Sequence, residues 1–592
     1  MQIRPARCTA SLARLAARAP RAFARRAAGF GRAQDAQVAL IFSLSLVPLT
    51  IGLGAALDIS RALTTKSALQ QATDSAALAL VKTASTLSST ALSNQVLSYI
   101  QGAATDLNAT LSSTPTLSLN NTQLCIDAST TRPTTLMQVA GIKTVTVSAH
   151  ACALTSGGTF EIALALDNTG SMSTYDYVTG RTKMANEVLA AKNLVNTIFN
   201  GQTTSTNYKL SVVPFTSSVN VGTSYANASF VDLKGASSIH WENFPKGTKP
   251  NSSKSNTWQP TSRFDVFSGV SISWGGCFEE RPQPYSLTDD APDTTTPDTL
   301  FVPLLAPDEE SSSYYNNYSS PNNSYLSNSS GGVCGTSADN ANSTYWDNGG
   351  IKFADGTSSW GDGQFKLCKY KGQRAYTSSN APGPNWGCDS SLPTIQLLTN
   401  TASTLTAKLN AMSANGNTNL VSGFMWAWRT ISPNGPFTSY STIKPYTGAA
   451  AQNNTKAIVF MTDGVNNWQP DTSNINKGTY SAFGYYKNAR LGKLPITNSY
   501  GVTTNQLPTS SNQRQYLDAA FAQACTNAKN AGIKVYTIGF SIPNDPIDQE
   551  GINLLANCAS SSSMAYVATD GNQVVNIFGQ IANGLDNPRL VN

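Results

Sequence analysis

Residues Ala163 to Ser171 read Ala-Leu-Ala-Leu-Asp-Asn-Thr-Gly-Ser, an apolar run that stops at an acid, with hydroxyls two and four residues further on. Such a run reads as a buried strand. Alternate residues of an extended turn point the same way, so Asp167, Thr169 and Ser171 converge on one spot beyond the strand's end. Two distant segments complete the pattern. Gly416-Asn417-Thr418 offers a further hydroxyl ahead of a helix, and Ala457 to Asp463 is a second apolar strand that ends in a second acid, before Gly464. Two carboxylates with several hydroxyls suit a small hard cation that keeps some of its waters, Mg²⁺ first, with Mn²⁺ or Ca²⁺ as alternatives. Ligands of open α/β sheets also gather beyond the carboxyl ends of the strands.

The surrounding elements alternate as a doubly wound sheet requires. Strands are predicted at 160–166, 208–215, 456–462, 533–540 and 564–568. Met184, Val188, Ala191, Val195 and Ile198 mark one helix stripe, and further helices are predicted after Thr418, at 515–530, near Leu554 and over Val574, Phe578, Ile581 and Leu585. Two stretches interrupt this order. Residues 226–392 are rich in Ser, Asn, Gly, Tyr and Trp, and their four cysteines argue for a folded, stapled insertion. Residues 466–512 carry Trp468, Tyr485, Tyr486 and Tyr500, which read either as exposed binding aromatics or as a surface loop with its own small core.

Eight arginines (Arg4, Arg7, Arg14, Arg18, Arg21, Arg25, Arg26, Arg32) and no acid precede Gln34. They account for the net charge of +6, so the rest of the chain lacks the basic face that nucleic-acid binding needs. Between Asp35 and Asp58 lie 22 uncharged residues, mostly Ala, Leu, Ile and Val. About 20 suffice to cross a bilayer as a helix. The flanking arginines then hold residues 1–34 in the cytoplasm and send the body outside. A charged fraction of only 12 % suits an exported protein, and so do eight cysteines beyond the span. Cys525–Cys558 is the pairing expected in the sheet domain, Cys125–Cys152 that before it, and Cys368–Cys388 that in the first insertion.

The Asp167, Thr169, Ser171, Thr418 and Asp463 set resembles the metal-ion-dependent adhesion site of von Willebrand factor A domains, with Thr169 where that family has a serine. The resemblance implies an α/β fold with a doubly wound, mostly parallel sheet and helices on both faces. A second resemblance lies in Ala36 to Leu44, Asp58-Ile-Ser-Arg61 and Leu69 to Leu78, which are similar to the N-terminal segment of TadG-like proteins of the bacterial tight-adherence (Flp) pilus-assembly system. Pilin-like subunits are usually cut after a glycine with Glu five residues on; Gln34 and Ala36 stand at those places here, so a permanently anchored protein is expected. The organisation implied is a basic cytoplasmic tail (1–34), a transmembrane anchor (35–58), a pilin-like helix and small β unit (59–155), and an A domain (156–592) with insertions at 226–392 and 466–512.

The function implied is non-enzymatic: a bacterial inner-membrane, single-span protein of pilus assembly or adhesion. Its body is periplasmic or at the cell surface, and its partner, another pilus-assembly protein or a surface ligand, offers a carboxylate to the metal. A scaffold or minor pilin-like component with a vestigial site is the alternative. A metal-assisted hydrolase is the third reading, but the chain has only two histidines, His150 and His240, and no Gly-x-Ser-x-Gly elbow or phosphate-binding loop.

Overall fold

The computed structural model describes residues 34–81, 83–118, 123–154, 159–244, 260–309, 323–326, 370–378, 382–388, 392–440, 454–468, 478–497, 501–585 and 589–591; for residues 34–40, 47, 48, 50, 51, 86, 139, 140 and 589–591 the description is of the backbone. The chain divides into two compact units, Met1–Thr155 with Pro588–Asn592, and Ser156–Asn587.

The first unit begins with helix α1, Gln34–Leu80. Among the described residues no helix is long and apolar enough to cross a membrane. The expected span at 35–58 falls on the first half of α1, where the large apolar side chains Ile41, Phe42, Leu44, Leu46, Leu49, Leu53 and Leu57 are 49–67 % exposed. No Gly or Pro lies between Asp58 and Gly102, yet α1 stops at Leu80. The cause is a run of Ser and Thr, whose hydroxyls compete with the helix for backbone groups. Thr83 Oγ1 donates to Leu80 O, and Ser88 caps helix α2, Ser89–Ala103, by accepting from Ala91 N. Strands β1 (Thr110–Leu111), β2 (Thr116–Ser118), β3 (Gln123–Pro133) and β4 (Thr144–Leu154) form an antiparallel sheet, and Arg589–Val591 adds to β4. Leu69, Ala72 and Ala76 of α1, Leu92, Val96 and Ile100 of α2, and Leu124, Ile126 and Ala128 of β3 share one core. On the opposite face of that sheet, Cys125 and Cys152 stand in register and are joined, as expected.

Asp58 and Arg61 have a structural task. The Asp58 carboxylate accepts the backbone N–H groups of Thr135, Leu136 and Met137 at 3.1, 2.9 and 2.9 Å, while Arg61 Nη1 donates to Thr135 Oγ1 at 2.8 Å. Together they pin the 135–137 turn to α1.

The second unit contains β5 (Thr159–Asp167), β6 (Tyr208–Phe215), β7 (Gln396–Thr399), β8 (Asn454–Thr462), β9 (Lys534–Phe540) and β10 (Ala565–Ala568). They lie in the order β10-β9-β8-β5-β6-β7, all neighbours parallel except the antiparallel edge strand β7. The order reverses between β5 and β8, as in doubly wound folds. Helices α3 (Lys183–Ile198), α4 (Ala402–Asn410), α5 (Leu420–Ile431), α6 (Gln513–Asn530), α7 (Gln549–Cys558) and α8 (Gly571–Leu585) cover both faces. The alternation of β5 sorts the core: Ile162, Leu164 and Leu166 meet α3 and α8, while Ala163 and Ala165 meet α5 and α6.

Every residue of α5 is buried, because the first insertion covers the side turned from the sheet. Phe230, Phe278 and Phe301 from that insertion pack with Trp426 in the same core. Of the two readings of the second insertion, that of exposed binding aromatics is corrected: Trp468, Tyr485 and Tyr486 are buried, and Tyr500 lies outside the described residues. The first insertion meets Tyr485, whose Oη donates to Glu309 at 3.0 Å, while Trp468 Nε1 donates to Thr479 O at 3.2 Å within its own insertion. Arg490 binds Glu242 at 2.6 Å and Glu279 at 2.7 Å. Cys525–Cys558 forms as expected, whereas the expected Cys368–Cys388 is replaced by Cys277–Cys388. Asn385 fixes that choice, since it bonds both Gly275 N and Ser273 O and so aligns the two cysteine segments.

Candidate metal centre

The reversal of strand order leaves a crevice at the carboxyl ends of β5 and β8, and the two strands end there in Asp167 and in Thr462-Asp463. Asp167 is fully buried; its carboxylate accepts from Thr169 N at 2.8 Å and from Thr462 Oγ1 at 2.6 Å. Thr169 Oγ1 lies 3.0 Å from Ser171 Oγ, which donates to Asp463 Oδ1 at 2.7 Å. The loop before Thr418 is tied to the same turn, Asn168 Nδ2 donating to Ser413 O at 2.6 Å and Gly170 N to Gly416 O at 3.0 Å. A Cβ at Gly464 would stand 3.8 Å from Thr418 Oγ1 and 3.9 Å from Ser171 Oγ. Glycine there keeps the space between the hydroxyls open, and all five expected residues come to one place.

Three further residues join them. Lys183, fully buried in the first turn of α3, donates to Asp463 Oδ2 at 2.9 Å and to Asp545 Oδ2 at 2.8 Å. One helical turn on, Glu187 accepts the Asp167 N–H at 3.1 Å through Oε1, and its buried Oε2 has no partner. The signal for both was an i, i+4 acid–base pair beside the apolar stripe of α3, a pattern that normally marks a solvent face.

Charge is unbalanced here. Burial first, and the Asp463 charge second, push the Asp167 carboxyl up to about 7. Burial and the same two aspartates hold Glu187 well above its usual range. Asp463 is raised by burial against the opposing pull of Lys183. Three buried carboxyls thus face a single ammonium. The excess of carboxyls, each pushed towards its neutral form without a further cation, the orphaned Glu187 oxygen and the hydroxyl-lined gap fit a small hard cation held by oxygen ligands. The two histidines are elsewhere: His150 pairs with Asp127, and His240 bonds Asp232 and Arg263 N. His150 also adjoins Cys125 and Cys152, but their sulfurs are spent in a disulfide and cannot ligate.

No curated protein matches the chain. Among solved structures, the vWF domain of the type V pili tip protein Mfa5 from Porphyromonas gingivalis is 9 % identical over 73 % of this chain and 96 % of its own, with a TM-score of 0.30. The pilus adhesin RrgA from Streptococcus pneumoniae is 11 % identical over 82 % of this chain and 49 % of its own, again at 0.30. The pilus adhesin SpaC from Lactobacillus rhamnosus GG is 11 % identical at 0.30, and the match spans 82 % of this chain but only 36 % of the adhesin. Overlaps this loose leave the fold to rest on the strand order itself. The sequence match is in the first unit: residues 36–81, which enclose Asp58, Arg61 and the buried stripe of α1, match the family described as "Putative Flp pilus-assembly TadE/G-like". That match covers residues 36–81 alone, and the segment precedes a mixed α/β unit with a mostly parallel sheet.

Proposed function

We propose that the chain is a membrane-anchored, non-enzymatic TadG-like protein of pilus assembly or adhesion. Its second unit acts as a von Willebrand A domain that captures a partner carboxylate at Asp167, Thr169, Ser171, Thr418 and Asp463 with Mg²⁺ bound. The observation that carries this reading is the gathering of five oxygen-bearing side chains from three segments at the reversal of strand order, with more buried carboxyls than cations beside them. Bound there, Mg²⁺ supplies a coordination position that prefers an anionic oxygen to another water. Glu187 holds the end of β5 through the Asp167 amide. Lys183 engages Oδ2 of Asp463 and leaves Oδ1 to the hydroxyl side. Beside the cluster, the 175–182 hairpin is tied to the Asp545 loop by Asn544 Nδ2 on Tyr175 O, and it exposes Tyr177 at 77 % and Val178 at 63 %, apolar surface for the partner's rim. The exposed apolar flank of α1 supports the single span, since such a surface is stable in lipid and not in water. Protease added to spheroplasts should remove the body and leave a small membrane-bound fragment; a protected second unit refutes that topology.

One observation favours the scaffold alternative. The Lys183 ammonium already sits on Asp463, as an internal cation does in a site that has lost its metal. Titrating Mg²⁺, and Mn²⁺ by electron paramagnetic resonance, into the chelator-stripped full chain separates the two. Saturable binding that Asp463→Ala abolishes, with circular dichroism unchanged, supports capture. Absence of divalent binding in the wild type leaves the scaffold.

A further inference from the structure

The face of the small antiparallel sheet turned from its core carries two adjacent cross-strand pairs, Cys125 opposite Cys152 and Asp127 opposite His150. Residues two apart on a strand share a face, so the four side chains form one cluster. His150 Nδ1 lies 2.7 Å from Asp127 Oδ1, and its Nε2 reaches along β4 to within 3.2 Å of Cys152 Sγ. Ser113 Oγ donates to Asp127 Oδ2 at 3.0 Å, and Gln70 Nε2 of α1 donates to the His150 carbonyl at 2.7 Å. A carboxylate, an imidazole and a sulfur in that row can move a proton to or from the sulfur. We propose that Cys125–Cys152 is an exchange-active disulfide, opened by a protein dithiol that attacks Cys125 while His150 gives a proton to the departing Cys152.

Three observations favour this chemistry. First, exposure is uneven: Cys125 is partly exposed and the His150 side chain is 60 % exposed, whereas Cys152 is buried. An incoming thiolate reaches Cys125, and the sulfur that must leave is the one beside the imidazole. A thiolate next to an imidazolium leaves more readily, which quickens exchange. Second, the hydrogen bond from His150, and after it that from Ser113, hold the Asp127 carboxyl below its usual range against desolvation. The anion so kept fixes the ring and favours its charged form. Third, the other bridges have no such donor. Cys277–Cys388 and Cys525–Cys558 are buried, and the second histidine of the chain, His240, has its ring nitrogens committed to Asp232 and to Arg263 N. Opening Cys125–Cys152 also leaves β3 and β4 paired, since their ladder runs the full 11 residues of β3.

In the step itself, one thiolate of the dithiol bonds to Cys125 Sγ as the Cys125–Cys152 bond breaks. The electron pair leaves on Cys152 Sγ, which takes the proton of His150 Nε2, and water reprotonates the ring. The second thiolate of the dithiol then attacks its own half of the mixed disulfide, and Cys125 leaves and takes a proton from water. Two electrons pass in all: the dithiol is oxidised to a disulfide, and Cys125 and Cys152 are reduced to thiols. None of the five metal-cluster residues takes part, so the step is independent of the metal reading.

The test uses the full chain in detergent with chelator. Reduction by dithiothreitol is stopped with N-ethylmaleimide and followed at each disulfide by peptide mapping. Cys125–Cys152 should open at least about tenfold faster than the other two bridges. His150→Gln should slow that opening at least about tenfold, and Asp127→Asn at least about threefold, with the other bridges and the circular dichroism unchanged. Asp127 is a positioning residue that acts through the ring, so Asp127→Asn should add nothing in a His150→Gln chain. Asp127→Asn alone serves where His150→Gln lowers the melting transition. Glutathione, a monothiol, should be trapped on Cys125 with maleimide on Cys152. The proposal is overturned if the three bridges open at similar rates, if both single variants react as the wild type does, if Asp127→Asn slows a His150→Gln chain further, or if glutathione is found on Cys152.

Discussion

Replacing Lys183 by Met keeps the length of the side chain and deletes its charge. In the wild type the ammonium lies 2.9 Å from Asp463 Oδ2, both side chains being fully buried, and 2.8 Å from the partly exposed Asp545. Removing one partner of a buried pair costs about 3–5 kcal/mol. Protonation caps the loss: a carboxyl with an ordinary value of 3.8 is held neutral at pH 7 for about 4 kcal/mol, and at pH 5 for under about 2 kcal/mol. The expected deficit is therefore about 3–4 kcal/mol at pH 7, shrinking as pH falls. The sign follows from linkage. The folded variant needs a proton on Asp463 that the unfolded chain has released, so the variant loses stability as pH rises. Mg²⁺ at about a hundred times its Kd should return about 2.7 kcal/mol if the cluster binds it. Urea unfolding followed by tryptophan fluorescence reads the second unit alone, because all nine tryptophans lie within residues 156–587. A variant within about 0.5 kcal/mol of wild type in chelator at pH 7, or a deficit that is the same at pH 5 and pH 7, refutes the reasoning.

Asp167→Ala should lose divalent binding and cost about 1–3 kcal/mol more than Asp463→Ala, because it strands the Thr169 amide and the Thr462 hydroxyl; Thr169→Ser should retain metal in the same calorimetric titration. Arg490→Met should cost about 3–5 kcal/mol and expose both insertions to limited proteolysis together, since it leaves Glu242 and Glu279 short of a partner; cleavage of one insertion without the other would count against a shared core. Peptide mapping without reductant should find Cys277 joined to Cys388, and a Cys368–Cys388 peptide would overturn that pairing.

What could be read from the sequence follows from how local each signal is. The strands expected at 160–166 and 456–462 are found at Thr159–Asp167 and Asn454–Thr462, because a strand buried on both faces writes its apolar run continuously. Strand β7, four residues at an antiparallel edge with only Leu397 and Leu398 buried, carries no such run and was not expected, nor was α4 after it. Spacing around Asp167 and Asp463 was enough to assemble the five oxygens. Lys183 and Glu187 escaped, because what buries them is the end of β5 and not their own helix pattern. Tyr485 failed for a related reason. Its burial depends on Glu309, far away in the sequence, and a Ser- and Asn-rich context gives no hint of that partner.

The pairing of Arg589–Val591 with β4 has a consequence for how the chain is made. The first unit's sheet draws strands from before and after the second unit, so the second unit is, in connectivity, a very long loop closed by those few ladder bonds. Closing a loop grows costlier only with the logarithm of its length, and a loop already collapsed into a folded body closes more easily than a free coil. The sheet then gains this strand only once the whole of the second unit has been synthesised. A chain cut anywhere within the second unit lacks its closing strand, which makes the small sheet a register of whether the large unit arrived whole. Pulling between the units would likewise load two covalent connections in parallel, so a single nick in one of them would leave the other still joined.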